Sequence, residues 1–458
     1  MTIAVVLVLA LLGKASAQSQ NEERVHLGVT ACAGNTCHGA VERLKGSSVP
    51  QNEYLIWSQE TDKQRIDKHH QAYKVLLSDR AKQIAHNLGL SDAANSKICL
   101  KCHTDYVDAG RRGPQYKIED GVGCEACHGA AEKWLGPHYS RVPHDVLVRD
   151  YNLTALDKPM VRAEKCLSCH FGDPEDDNRF VTHRIMGAGH PRMGFELDTY
   201  TAAEPAHFSV DESYIKRKGP VNDVQVWAVG QAANLVKRMD ALLKHPPKGV
   251  QPELVLFDCS ACHHTINQIR WRPRGSTGLG PGTVKLDDAN AVMLRVIAAR
   301  VAPNVAKSLA EQMLALHRAT TEDWKTVIRE ATEVRRLAIE LQNLLSNHQF
   351  SRDDMRALAD AVIAVGLTGD DTDFPGAEQA TMALGAIASA MSSPMVPGRL
   401  TAEQTKTMND ALRGLYKSIS DAESYRPEAF VRALKDFQKT IPKRCEPPAA
   451  SPARISPE

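Results

Sequence analysis

The stretch GVGCEACHG, residues 121–129, contains two cysteines three positions apart and a histidine directly after the second one. A related stretch, CLKCH at residues 99–103, lies just upstream. Cys-x-x-Cys-His is the attachment sequence of c-type haem, in which the thiols form thioether bonds to the porphyrin and the histidine binds the iron. The spacing lets both thiols face one edge of the ring while the next residue reaches the metal.

The motif recurs as CLSCH at residues 166–170 and CSACH at residues 259–263, and a wider version, CAGNTCH, occupies residues 32–38. A random order of the same residues would give about 0.01 strict matches, so four are not coincidence. We number the five sequences sites 1 to 5 in chain order. The predicted attachment cysteines are Cys32 and Cys37, Cys99 and Cys102, Cys124 and Cys127, Cys166 and Cys169, and Cys259 and Cys262. The predicted proximal iron ligands are His38, His103, His128, His170 and His263.

Zinc binding and disulfide bonding are the alternatives for cysteine pairs of this kind. Zinc pairs do not require a histidine at this position, and a disulfide framework would leave all five histidines unexplained. The motifs use ten of the 11 cysteines, and Cys445 is left over as a free thiol. We therefore predict five covalently bound haem c groups.

Composition and the N-terminus restrict the class of protein further. The 458 residues suggest two or three domains, and the formal charge of +1 gives no support for nucleic-acid binding. Residues 1–17 resemble a secretory signal peptide, with a short apolar run and a small-residue cleavage site, although no Lys or Arg precedes the run. A membrane anchor is the alternative, but the run is short for a span. We expect a bacterial protein that is periplasmic or otherwise exported, with no transmembrane segment after signal removal.

Histidines outside the motifs are candidates for the second axial position of each iron. A helix is predicted over residues 64–88, and the stripe of His69, Ala72, Tyr73 and Leu76 places His69 rather than His70 on its buried side. The alternative is that either histidine is only packed or solvated.

Residues 182–196, THRIMGAGHPRMGFE, are predicted to form a ligand loop, because glycine allows a close backbone approach to a flat ring. His183 and His190 are candidates for the positions opposite His170 and His263, in either assignment. His207 is a further candidate, opposite His103. For each of the three, a surface loop histidine is the alternative.

The segment from residue 32 to about residue 170 resembles the tetrahaem cytochrome c that accepts electrons from hydroxylamine oxidoreductase. The resemblance rests on residues 121–129 followed by His138, and on Trp57 upstream of the helix that carries His69. It implies that His138 lies opposite His38 and that His69 lies opposite His128. The second haem of that family is five-coordinate, so the resemblance leaves open whether site 2 has a sixth ligand. The wider spacing at site 1, site 5 and the C-terminal third depart from that family.

The remaining chain is predicted to be helical, which makes the protein mainly α. A helix over residues 224–243 carries an apolar stripe, and residues 275–282 are rich in glycine. We expect a haem domain at 18–275, a linker at 276–286, a helical bundle at 287–443 and a disordered tail at 444–458. Ser351 and Thr401 are predicted helix caps, and Pro427 starts the last helix.

A row of haems with two histidine ligands each would relay electrons, because such an iron has no open position for a substrate. The expected partners are redox proteins, either an oxidoreductase or a quinone-linked complex. The alternative is an enzyme that acts on nitric oxide, nitrite or hydroxylamine at one five-coordinate haem. A third possibility is a structural subunit whose helical bundle docks onto a larger complex or forms an oligomer.

Overall fold

A computed structural model describes residues 24–46, 49–58, 67–204, 206–247, 252–263, 274, 276–280, 283–370, 373–396 and 398–442. The expected signal peptide, His264 beside site 5, Cys445 and the C-terminal tail lie outside the described residues. Within them the secondary structure is helical, with three isolated β-bridges and no sheet. The mainly α prediction is confirmed.

Short helices separated by turns make up the first half of the chain. They are α1 (Glu53–Ser58), α2 (Lys68–Val75), α3 (Asp79–Leu88), α4 (Lys97–His103), α5 (Cys124–His128), α6 (Leu135–Tyr139), α7 (His144–Tyr151), α8 (Pro159–His170), α9 (His183–Gly187), α10 (Leu197–Ala203) and α11 (Glu212–Lys218). Short 3₁₀ turns lie among them at Val29–Ala31, Ala109–Arg111, Ile118–Asp120 and Asp177–Arg179.

Longer helices form the second half. They are α12 (Asp223–Lys244), α13 (Ala289–Val301), α14 (Pro303–Ala319), α15 (Trp324–Leu345), α16 (Arg352–Thr368), α17 (Phe374–Ser392), α18 (Ala402–Ser418) and α19 (Pro427–Gln438), with 3₁₀ turns at Leu254–Leu256 and Cys259–Ala261 between α12 and α13. The predicted caps are present: Ser351 and Thr401 each form a capping box with the residue three positions on.

Within the helical stretch expected over residues 64–88, of which the structure describes 67–88, the chain forms two helices, α2 and α3. The Ser78 side chain accepts a hydrogen bond from the Ala81 amide, and its backbone is extended, so a new helix begins there. Gly89 ends α3 in the left-handed conformation at a φ of 74°. The break separates the histidines of α2 from α3, although the two helices share one apolar cluster.

One apolar core joins α12 to the helices that follow it. The predicted stripe of α12 is buried, and so are residues on its other faces, including Trp227 and Val229. Its closest packing partner is α15, and it also contacts α13 and α17. The helical core therefore begins at residue 224, upstream of the linker expected at 276–286.

Apart from Phe180, which belongs to the core of α12, apolar packing in residues 24–204 is divided into small clusters. One surrounds Leu76 and Leu100, another surrounds Trp134 and Leu147, and a third joins Leu167 to α12. Each is far smaller than the core of the C-terminal helices. In this half of the molecule, side-chain packing alone provides little continuous interior. None of the helices in the described part of the chain has the length and hydropathy that a membrane span requires.

Candidate haem-binding sites

Each motif adopts a turn that places its two cysteines and its histidine on one side. At sites 2, 3 and 4 the histidine is the last residue of a helix, α4, α5 or α8. In a helix, side chains three and four positions apart lie on the same face, as the motif needs. At site 5 a 3₁₀ turn serves the same purpose, with the His263 amide donating to the Cys259 carbonyl at 2.7 Å.

Site 1 accommodates its two extra residues in a turn. The Cys37 amide donates to the Gly34 carbonyl at 2.8 Å, and the His38 amide donates to the Cys32 carbonyl at 3.2 Å. The second bond closes the wider loop and returns His38 to the position that the histidine has in the strict motifs.

The glycine before site 3 lets the motif approach α2 closely. Gly121 has a φ of +75°, and a Cβ atom built on it would lie 2.8 Å from the His69 carbonyl oxygen. The next amide, of Val122, donates to that same oxygen at 3.1 Å. A side chain at position 121 would therefore push site 3 away from the helix that carries His69.

Glu125, inside the site 3 motif, fixes the N-terminal segment. Its carboxylate is 3% exposed and accepts hydrogen bonds from the amides of Leu27 at 2.9 Å, Gly28 at 2.7 Å and Ala131 at 2.6 Å. Because three donors satisfy this buried charge, its role is to hold the backbone around the motif. The nearby His26 and Asp105 side chains pair with each other at 2.8 Å.

The histidine of every motif faces a second histidine from elsewhere in the chain. The distances between the two ring centres fall between 6.0 and 6.4 Å. The pairs are His38 with His138, His103 with His190, His128 with His207, His170 with His69, and His263 with His183.

This separation is the one that a shared metal requires. A metal–imidazole bond is about 2 Å long and the ring centre lies about 1 Å beyond the nitrogen, so two imidazoles on opposite sides of one metal have centres about 6 Å apart. Four of the rings also have an acceptor on Nδ1, which leaves Nε2 free for a metal. These contacts are His38 to Glu53 at 2.9 Å, His103 to the Ala72 carbonyl at 3.0 Å, His190 to the Pro191 carbonyl at 2.8 Å, and His69 to Asp67 at 3.4 Å.

The relative orientation of the rings differs between sites. At site 1 the imidazole planes are nearly parallel, 13° apart. At sites 2, 3 and 4 they are nearly perpendicular, 81° to 84° apart, and at site 5 the angle is 44°. The Trp134 ring stands edge-on to His138 at 5.9 Å and so restricts its rotation.

The pairings agree with the sequence in part. His138 lies opposite His38, as the resemblance implied, and His183 lies opposite His263, one of the two open assignments. His69 lies opposite His170, however, and not opposite His128.

The remaining two pairings also differ from the expectation. His190 faces His103 instead of His170 or His263, and His207 faces His128 instead of His103. The resemblance left the sixth position at site 2 in doubt, and the structure brings the loop that carries His190 to face His103 there. The Arg80 side chain holds that loop by donating to the Gly189 carbonyl at 2.8 Å.

Cysteines from different motifs lie next to each other. The thiols of Cys32 and Cys124 interact, which lowers the pKa of Cys32 and raises that of Cys124. Cys102 and Cys169 interact in the same way, and this contact raises the pKa of Cys102. Site 1 is therefore adjacent to site 3, and site 2 is adjacent to site 4. The ten motif cysteines are all free thiols.

Two further links join these pairs and site 5. Burial raises the pKa of Cys127 at site 3, and the nearby Cys166 of site 4 adds to the effect. Sites 2 and 5 are linked by α9 and its following turn, which carry His183 at one end and His190 at the other. The Glu253 carboxylate, six residues before the first cysteine of site 5, accepts a hydrogen bond from the His183 amide at 2.8 Å.

Carboxylates distinguish some of the histidines electrostatically. The hydrogen bond to Glu53 raises the pKa of His38, and Asp67 and Glu204 raise the pKa of His69 to about 10. Burial instead lowers the pKa of His128 to about 3, since no carboxylate compensates it. Sequence reasoning missed Glu53, Asp67 and Glu204; only Asp67 carries a signal, as the residue that caps α2.

The residues present fit haem c on three counts: free paired thiols, an adjacent histidine, and an opposing histidine at the distance that a shared iron requires. A family model described as cytochrome c554 and c-prime matches residues 31–129, a range that contains sites 1, 2 and 3. The match supports a relationship of this part of the chain to multihaem c-type cytochromes, which bind haem covalently and transfer electrons. Comparisons with curated proteins and with solved structures gave no match.

Proposed function

We propose that this protein is an exported pentahaem c-type cytochrome that relays electrons between redox partner proteins. The observation that carries the proposal is that each of the five motif histidines faces a second histidine at 6.0 to 6.4 Å. Haem held between two imidazoles exchanges single electrons between the ferric and ferrous states and leaves no open position for a substrate. The chain's part in this function is to hold five such groups close together.

The contacts between sites support one linear order, 1–3–4–2–5. Thiol contacts join site 1 to site 3 and site 2 to site 4, and the thiols of Cys127 and Cys166 bring sites 3 and 4 together. The segment from His183 to His190 serves both site 2 and site 5. The order in space thus differs from the order in sequence, and site 5 extends the end formed by site 2.

Exposure supports sites 1 and 5 as the two ends. Among the ten motif cysteines only Cys37, of site 1, and Cys262, of site 5, are exposed. His183 and His263 at site 5 are exposed as well. We propose that one redox partner docks beside site 1 and another beside site 5, because electrons cross between proteins most readily where a cofactor lies near the surface.

The alternative of a haem enzyme needs one five-coordinate haem, and the resemblance makes site 2 the first candidate. The pairing of His103 with His190 argues against that alternative. Covalent attachment of haem takes place outside the bacterial cytoplasm, so the proposed cofactors and the expected signal peptide lead to the same location, the periplasm.

Mass spectrometry of the natural protein tests the cofactor count. We expect the mass of the polypeptide plus five haem groups, with peptide mapping that assigns one haem to each motif. The ferric protein should be low-spin throughout and should not change its spectrum with nitric oxide. A high-spin iron that binds nitric oxide would favour the enzyme, and a mass without haem would exclude both functions.

A further inference from the structure

The histidines of the five sites differ in what accepts a hydrogen bond from Nδ1. At site 1 the acceptor is the Glu53 carboxylate, 2.9 Å from Nδ1 of His38, and the Glu53 side chain is 15% exposed. At site 2 both acceptors are neutral carbonyl oxygens, those of Ala72 and Pro191.

At site 4 two carboxylates face His69. Asp67 lies 3.4 Å from Nδ1 and is 2% exposed, and Glu204 lies 3.7 Å from it. Asp67 is held in place because it caps α2, where its side chain accepts a hydrogen bond from the His69 amide at 2.8 Å. Its carboxylate therefore cannot turn away from the ring without uncapping the helix.

The chain also holds Glu53 in position. Its second carboxylate oxygen accepts a hydrogen bond from the Gln51 amide at 3.2 Å, and the amide of the next residue, Tyr54, donates to the His38 carbonyl at 2.9 Å. Histidine and carboxylate are thus joined through both their side chains and the backbone, as in a preorganised pair.

We infer that Glu53 at site 1, and Asp67 with Glu204 at site 4, are positioning residues that set the reduction potentials of these two sites below those of the others. This inference rests on the proposed function. A carboxylate that accepts the Nδ1 proton increases the basicity of the imidazole, and a more basic ligand stabilises ferric over ferrous iron. A carbonyl oxygen carries no full charge and has a smaller effect.

The test is a redox titration of the holoprotein, followed by electron paramagnetic resonance, on the wild type and on Glu53→Gln, which keeps the shape of the side chain but removes its charge. Site 1 can be recognised because its near-parallel rings differ from the other pairs. We expect the oxidised-to-reduced ratio at this site to fall about tenfold at a given potential, an upward shift of about 59 mV. Glu53→Asp should restore part of the wild-type potential.

Asp67→Asn is the corresponding change at site 4. Asparagine also caps helices, so α2 should persist while the charge beside His69 is lost. We expect an upward shift in one of the sites with perpendicular rings and no shift at site 1.

Asp105→Asn is the matched control, because Asp105 pairs with His26 at 2.8 Å and His26 belongs to no facing pair in the part of the chain that the structure describes. It should leave the potential of site 1 unchanged. The inference is overturned if Glu53→Gln leaves that potential unchanged, or if Asp105→Asn shifts it equally. A protein that carries five haems but shows either result would refute only this inference, whereas a protein without haem would refute the proposed function as well.

Discussion

Removal of one histidine should change one recognisable iron and leave the others intact. The parallel arrangement at site 1, with planes 13° apart, contrasts with 81° to 84° at sites 2 to 4 and 44° at site 5. Parallel imidazoles interact more strongly with one of the two iron orbitals that point between the nitrogens, which gives a rhombic ferric signal. Perpendicular imidazoles act on both orbitals alike and give a highly anisotropic signal.

His138→Ala removes the second ring at site 1. Since this is the one near-parallel pair among the five described, the rhombic signal should disappear and one iron in five should become high-spin. The three highly anisotropic signals should keep their intensity, because their histidines come from other segments. The assay is low-temperature electron paramagnetic resonance of the ferric protein, with signal areas scaled to the haem content.

Two controls make this experiment decisive. His144→Ala changes a nearby histidine that belongs to no facing pair among the described residues, and its spectrum should match that of the wild type. Free imidazole added to the His138→Ala protein should restore low-spin iron by occupying the emptied position. A rhombic signal of full intensity in His138→Ala would falsify the assignment of this histidine to site 1.

Three further predictions concern other parts of the molecule. His69→Ala should produce one high-spin iron at site 4, whereas the adjacent change His70→Ala should not, because His70 packs against Trp57 at 4.4 Å. Equal spectra of the two variants would contradict the pairing of His69 with His170. Asp288→Asn should lower the free energy of unfolding by about 1.5–3 kcal/mol in a denaturant titration, because Lys285, 3.0 Å away, and Arg274, 2.9 Å away, lose one buried carboxylate while Asp373, 3.3 Å from each, stays; a loss below about 0.5 kcal/mol would refute this. Burial opposes ionisation of Asp288, but Lys285 and Arg274 outweigh that effect and hold its pKa well below the usual range. The carboxylate therefore stabilises the fold above its unfolded pKa of about 3.9, and this stabilisation is lost as the pH falls below that value. In thermal unfolding from pH 6 to about pH 3, the unfolding temperature of Asp288→Asn should depend less on pH than that of the wild type. Deletion of residues 283–458 should give an insoluble product, since it exposes Trp227 and Leu235 of α12; soluble, haem-loaded protein would show instead that the first half is independent of that core.

The sequence predicts the parts of a site that are local and leaves open those that are not. Cysteine spacing identifies His38 and its counterparts because motif and ligand share one turn. The opposing histidines come from segments far away, so the pattern around His69 indicates on which helix face it lies but not which motif it meets. His207 lies in a loop without periodicity, and nothing in its neighbourhood specifies site 3.

The same limit applies to the fold. The caps at Ser351 and Thr401 and the start of α19 at Pro427 depend on local hydrogen bonds and backbone geometry, and they occur as predicted. The stripe on α12 predicts burial, but its burial on further faces by the C-terminal helices depends on residues more than fifty positions away. The periodicity of a helix indicates which face is buried but not which helices pack against it. For this reason the sequence did not predict that the core of the C-terminal helices includes α12, which lies before the linker expected at 276–286.

The positions of the paired histidines along the chain have a consequence for biogenesis. At sites 4 and 5 the opposing histidine precedes the motif, so both ligands exist once the motif has been synthesised. At sites 1, 2 and 3 it follows the motif, so the second ligand of a haem attached there would be synthesised after the motif. Maturation should therefore pass through a stage in which sites 1, 2 and 3 each lack their second ligand. Synthesis of the segment from His183 to His190 then supplies the second ligand of site 2. The same segment provides the opposing histidine of site 5 before the cysteines of that site are synthesised.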